Sequence, residues 1–281
     1  MELRRGYLWW KPCPTQRVRV GVLDWQDRFG ERPTFGDPWW SVDRYDSFQA
    51  PLANSIWDFS VAGLDWEIDS AGWHWRLSAL VLDEDDNTFD GDGAAWLFGL
   101  DVDREIGCSL LGASAYYLHD DGDYSYGTFG GPGVAYRNAW DLWLGARAHV
   151  PLGRLEASAI AIYNRGETDS PAWEHEGLAF KFGLGLPGPC TSWRVQALYS
   201  TGNDGSSATQ SDEFRTVAQS ERDNFGAQGY WSYLALTSPH GPSDVDDLGV
   251  GLQNRGLGLL AVQGMVEHKF ASRVTGRAAV G

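Results

Sequence analysis

What most constrains this chain is a rhythm. Side-chain character alternates residue by residue over short segments, and the connections between them are by turns short and long. Alternation with a period of two marks a strand with one apolar and one polar face. Strands are expected at roughly 2–11, 16–26, 57–69, 73–83, 93–105, 108–119, 138–150, 153–164, 173–186, 191–201, 255–270 and 273–281. The clearest is WHWRLSALVL, in which Trp73, Trp75, Leu77, Ala79 and Val81 share one face and His74, Arg76 and Ser78 the other. The 57–69 segment slips phase around Phe59 to Val61, which suggests a bulge there.

The short connections are PCPTQ, then SAG at 70–72, IG at 106–107, PLG at 151–153, PGPCT at 187–191 and AS at 271–272. The long ones are 27–56, 84–92, 120–137, 165–172 and 202–254, and the two classes swap without exception. Tight turns at one end and long loops at the other are the pattern of an outer-membrane barrel. The expected fold is therefore all-β: one antiparallel transmembrane β-barrel domain over 1–281, with about twelve strands, short periplasmic turns and long external loops. The implied location is the outer membrane of a Gram-negative-type bacterium, with lipid and lipopolysaccharide as surroundings. A helical period competes only at 212–222, as a short helix inside the last long loop.

Composition agrees. No run of about 18 apolar residues exists to form a spanning helix, but a barrel crosses with strands whose hydropathy averages near neutral. Trp9, Trp25, Trp57, Trp73, Trp140, Trp173 and Trp193 fall near strand ends, as interfacial girdles do, and Phe180, Phe182, Leu184 and Leu186 form an outward stripe. A soluble glycan-binding β-protein would use its tryptophans differently, on a concave face. The formal net charge of −16 argues against nucleic acid, whose phosphates need surplus Lys and Arg. Cys13, Cys108 and Cys190 sit beside short turns at no metal-ligand spacing and read as unpaired residues. The chain start has a basic stretch without an apolar signal core, and the last segment stops within an alternating pattern, so the chain reads as incomplete at one or both ends.

Charge then separates. The segment Asp83–Gly93 holds six acids and no base, and other long loops are acidic too. The strand cations Arg17, Arg19, Arg76, Arg147, Lys181, Arg194, Lys269, Arg273 and Arg277 fall on the polar faces, together with Asp101, Asp103, Asp141, Glu156 and Glu267. With lipid outside, that face lines the lumen, and the expectation is a mixed wall with a cationic excess. Guanidinium forks of Arg17, Arg19, Arg76, Arg147 and Arg194, with the Lys181 ammonium, would form a substrate path for anionic solutes. The alternative for the same residues is an ion-pair ladder that neutralises lumen acids and braces the barrel. The 83–93 loop fits no calcium-binding frame. No metal or cofactor is called for. His119 beside Asp120 and Asp121 offers a weak hydrolase dyad, and no nucleophile elbow or phosphate-cradling loop accompanies it.

Three stretches carry a family likeness. Arg5-Gly6-Tyr7-Leu8, then Arg19-Val20-Gly21, then Trp40 followed by Arg44-Tyr45-Asp46 resemble the opening motifs of the alginate export family of outer-membrane barrels, over residues 2–48. That resemblance implies export of a uronate polysaccharide through a cationic lumen. Where the family continues with Arg-Gln after the glycine, this chain has Val22-Leu23, and the family has more strands than the twelve counted in this sequence. A porin for small anions is the alternative within the same class.

Overall fold

The computed structural model describes residues 6–23, 25, 61–81, 95–120, 137–170, 172–215, 257–271 and 274–280. Twelve of its strands follow one another as nearest neighbours: β1 (Gly6–Trp10), β2 (Gln16–Leu23), β3 (Val61–Ser70), β4 (Trp73–Val81), β5 (Ala95–Ile106), β6 (Ser109–Asp120), β7 (Arg137–Leu152), β8 (Leu155–Ser170), β9 (Ala172–Leu186), β10 (Thr191–Ser200), β12 (Leu259–Ala271) and β13 (Val274–Val280). Each pairs antiparallel with the next. The two-residue β11 (Gln210–Ser211) lies off this path and runs parallel to β9. Among the described residues no pairing joins β1 to β13, so the sheet is an open strip of wall. No described helix is long and apolar enough to cross a membrane.

The sheet is inside out. On β9, His175, Gly177, Ala179, Lys181 and Gly183 are buried, while Leu178, Phe180, Phe182, Leu184 and Leu186 between them are exposed. The same holds across the wall. Val20, Leu64, Trp75, Phe98, Tyr117, Leu144, Val195 and Val262 are exposed, whereas Asp65, Arg76, Asp101, Arg147, Lys181 and Gln196 are buried. A sheet with its charges enclosed and its large apolar side chains outward fits hydrocarbon outside and polar contents within. The fold is that of the outer-membrane β-barrels. An arginine on the outer face should therefore be costly. Phe180→Arg, mid-strand and 41 % exposed, is expected to lose about 2–4 kcal/mol of stability in denaturant titrations of protein folded into vesicles.

The twelve expected strands are all present, with ends moved by a few residues. Three expectations are corrected or lie partly outside the described residues. Residues 165–172 are not a long loop: Arg165–Ser170 extend β8, paired on one side with β7 from Arg137 and on the other with β9 from Ala172. Both faces of NRGETDSPAWEH are polar, so the apolar alternation ends there while backbone pairing continues. Strand ends still sort into two rims, and the short turns at 11–15, 71–72, 107–108, 153–154 and 187–190 share one of them. Second, the bulge expected around Phe59 to Val61 falls on residues that, up to 60, lie outside the described set; from Val61 to Ser70 the strand keeps a continuous register with β2 and β4, and among the described residues a register shift occurs between Lys269 and Ala271. Third, Asp212–Arg215 is not helical, and the rest of the expected helix lies outside the described residues.

The cysteines are free, as the sequence suggested, and all three belong to the short-turn rim. Cys13 Sγ lies 3.2 Å from the Thr15 hydroxyl, and that hydrogen bond holds the thiol below its usual range.

Candidate functional site: the inner wall and its mouth

Because the side-chain period is two, one inward residue commits its whole strand. Arg17, Arg19, Arg76, Arg147, Lys181 and Arg194 all take the inward register, where the sequence placed them. Lys269 does so too. Arg273 and the Arg277 side chain lie outside the described residues.

Adjacent strands then supply the acids. Arg17 pairs with Glu67 opposite it on β3. Asp65, with no exposed surface, is shared: Arg19 reaches it from β2, Arg76 Nε from β4 at 2.6 Å, and the Ser78 hydroxyl donates to it at 2.9 Å. Ser78 in turn accepts the Trp25 indole N–H at 2.8 Å, and the Trp25 ring lies 5.1 Å from the Arg76 guanidinium. Further round, Asp101 accepts from the Ser114 and Tyr116 hydroxyls, both at 2.5 Å. Arg147 donates to Asp103 at 2.6 and 3.0 Å and to Ser114 at 2.7 Å. The result is a belt of paired charges running from β2 to β7.

Glycines make the longer reaches possible. Asp103 and Arg147 sit on β5 and β7, with Gly112 of β6 between them in the pairing row. A Cβ on Gly112 would come 2.6 Å from Arg147 Nε and overlap the Asp103 carboxylate. Gly166 plays the same part nearer the other rim. It lies between Asp141 and His175 in the row, and His175 Nε2 is 2.6 Å from Asp141 Oδ1 across it. Ser211 follows on that row, but its hydroxyl accepts the Glu213 N–H at 3.2 Å and the whole row is buried.

The expected cationic excess does not hold on the described inner wall. Asp65, Glu67, Asp69, Asp101, Asp103, Glu105, Asp141, Glu156 and Glu267 outnumber Arg17, Arg19, Arg76, Arg147, Lys181, Arg194 and Lys269. Asp65, Glu67, Asp69 and Glu105 are the additions to the sequence reading. The alternation of Gly63, Asp65, Glu67 and Asp69 in β3 was the signal for three of them, obscured by the phase slip ascribed to that segment. Nor is the face wholly polar: Leu80, Leu97, Leu118, Trp143, Ile160, Ile162 and Leu198 pack on it as a buried apolar cluster.

Several tryptophans change place. Trp73, Trp140 and Trp193 face outward as a girdle would. Trp25 and Trp173 are interior: Trp25 is 2 % exposed, and Trp173 stacks on His175 with ring centres 5.0 Å apart. Trp9 pairs opposite Arg19 and so shares the inner face. Parity was the missed signal, since Trp25 follows Arg17 and Arg19 by even steps and Trp173 precedes Lys181 by eight. Trp57 lies outside the described residues. His119 pairs opposite Trp140 on the outer face, with its ring stacked against Tyr117 at 6.4 Å. It joins the outward aromatic belt; the Asp120 side chain and Asp121, its expected dyad partners, lie outside the described residues.

Above β10 the chain turns back inward. Thr201 N–H donates to the Leu178 carbonyl, β11 lines up beside Glu174 and His175, and the segment then crosses the inner face over Gly177. Phe214 N–H donates to the Thr201 carbonyl at 3.1 Å, Arg215 N–H to Asn164 Oδ1 at 3.0 Å, and the Trp143 indole N–H to the Arg215 carbonyl at 2.8 Å. Of the long 202–254 connection, this described part folds inward. Asp204, earlier in the same connection, accepts hydrogen bonds from Ser206, which hold its carboxyl below the usual range.

No family model and no curated protein matches the chain. Among solved structures it is similar to OmpT, an outer membrane protein of Vibrio cholerae. The in-vitro folded trimer form shares 12 % identity over 74 % of this chain and 74 % of that one, with a TM-score of 0.42. The outer-membrane expressed form shares 12 % identity over 72 % and 74 %, with a TM-score of 0.40. Likenesses this distant carry no argument about function, and the fold assignment rests on the geometry above.

Proposed function

We propose that the chain forms the wall of an outer-membrane channel for small polar solutes, residing in the outer membrane of a Gram-negative-type bacterium and requiring no cofactor. The observation that carries this is the inward-facing belt of paired charges, which gives the wall a hydrophilic inner surface of the kind that lines a water-filled path. The wall arginines hold their acids, so they brace the barrel and leave the path close to neutral or slightly acidic. With acidic long loops at one mouth, counter-ions gather there, and weak preference for cations follows.

The second reading is the passage of anionic solutes, an alginate-like uronate polysaccharide included. It is favoured by the placement of Arg17, Arg19, Arg76, Arg147, Lys181 and Arg194 on the inner face, and by the opening motifs. Many weak cationic sites in series would let such a polymer enter and leave. Planar bilayers separate the readings. A salt gradient across reconstituted protein is expected to give a reversal potential of the sign for cations. The opposite sign would favour the polyanion path, and the absence of any conductance would end both.

A further inference from the structure

Where β10 stops, at Ser200 opposite Ala179, the upper part of β9 loses its partner on that side. The segment that follows takes over. β11 matches Gln210 to Glu174 and Ser211 to His175, running in the same direction as β9, and thus toward the interior. Its continuation lies directly on Gly177, where a Cβ would come 2.5 Å from the Glu213 carbonyl oxygen and overlap the Phe214 backbone. Phe214 is fully buried against the wall, and Trp143 and Asn164 hold the Arg215 backbone.

We infer that Gln210–Arg215 is a displaceable strap across the long-connection mouth, seated on Gly177 and able to leave without damage to the wall. This rests on the channel reading and deepens it by naming the element that controls passage. The seat holds the strap's backbone through neutral groups, Trp143 and Asn164. The strap's own charges answer each other, with Arg215 Nε 3.0 Å from Glu213 Oε1, and the Arg215 guanidinium meets the wall 4.5 Å from the Trp173 ring centre, a hold that an aromatic face gives up more cheaply than a carboxylate would. Two residues of parallel pairing are a short hold beside the eight pairs that join β9 to β10 and the fourteen that join it to β8. The β9 edge uncovered on departure belongs to the level of Glu174 and Glu176, beyond the outward apolar stripe that begins at Leu178, so water can take its hydrogen bonds. Local opening of this kind draws on the least stable part of a fold.

Two measurements test it. Gly177→Ala places a methyl against the strap's backbone, which cannot sidestep as a side chain could, and single-channel conductance is expected to rise. Separately, Ser211→Cys in a chain carrying Cys13→Ser, Cys108→Ser and Cys190→Ser puts a thiol on the strap itself, at a position that is 4 % exposed while the strap is seated. A membrane-impermeant maleimide is expected to label it slowly in the otherwise native chain, and on the order of tenfold faster with Gly177→Ala added. The labelling needs no conduction, so it stands even if the channel reading fails, and it decides alone if Gly177→Ala does not fold. A thiol that resists labelling until the whole protein is denatured overturns the strap, as does a folded Gly177→Ala that matches the parent in labelling and conductance.

Discussion

Asp65→Ala is expected to cost about 3–5 kcal/mol in denaturant titrations of vesicle-folded protein, the scale for removing one member of a buried charge pair. Asp65 has no exposed surface and serves two guanidiniums, those of Arg19 and Arg76, together with the Ser78 hydroxyl. The two arginines differ in what they can do next. The Arg19 side chain is 16 % exposed and already 3.7 Å from Glu67, so it can turn to that acid. The Arg76 side chain is 7 % exposed and would lose the carboxylate its Nε meets at 2.6 Å, keeping its charge beside the Trp25 ring with Asp101, opposite it on β5, as the remaining acid. Arg19→Ala should therefore cost less than Asp65→Ala. Equal losses from the two would show that the belt does not depend on the shared acid.

The second large effect is expected at a residue without a side chain. Gly112→Val should destabilise by about 3 kcal/mol, because the new side chain occupies the space through which Arg147 and Asp103 meet. Each of those side chains is long enough to move aside, so the loss comes from parting the pair and not from the collision itself. Gly185 gives the control. It also faces inward, but the nearest atom to a Cβ there is 3.8 Å away, and Gly185→Ala should stay within about 0.5 kcal/mol of the parent. If both glycines behave alike under the same titration, strand propensity and not the opening between charges explains them.

Fold and faces were legible in advance because both follow from local alternation. WHWRLSALVL announces a two-faced strand without reference to anything else, and one arginine per strand suffices to say which face avoids lipid. The strands were found on that basis, and so were the inward positions of Arg76, Arg147, Lys181 and Arg194. The misreadings arose where a second rule overrode parity. Trp25 and Trp173 read as girdle residues because tryptophans gather near strand ends, although their parity with Arg19 and Lys181 puts them inside. Residues 165–170 read as loop because apolar alternation stops there, although pairing needs only backbone.

By itself the sequence determined an all-β, antiparallel, inside-out wall and the side on which each charge lies, since a period of two is a property of neighbouring residues. Only the tertiary structure decided which carboxylate meets which guanidinium, which glycines leave the openings between them, and that the chain after β10 returns to lie across Gly177. Those are relations between strands or segments tens of residues apart, set by register across the sheet, and no local pattern contains them.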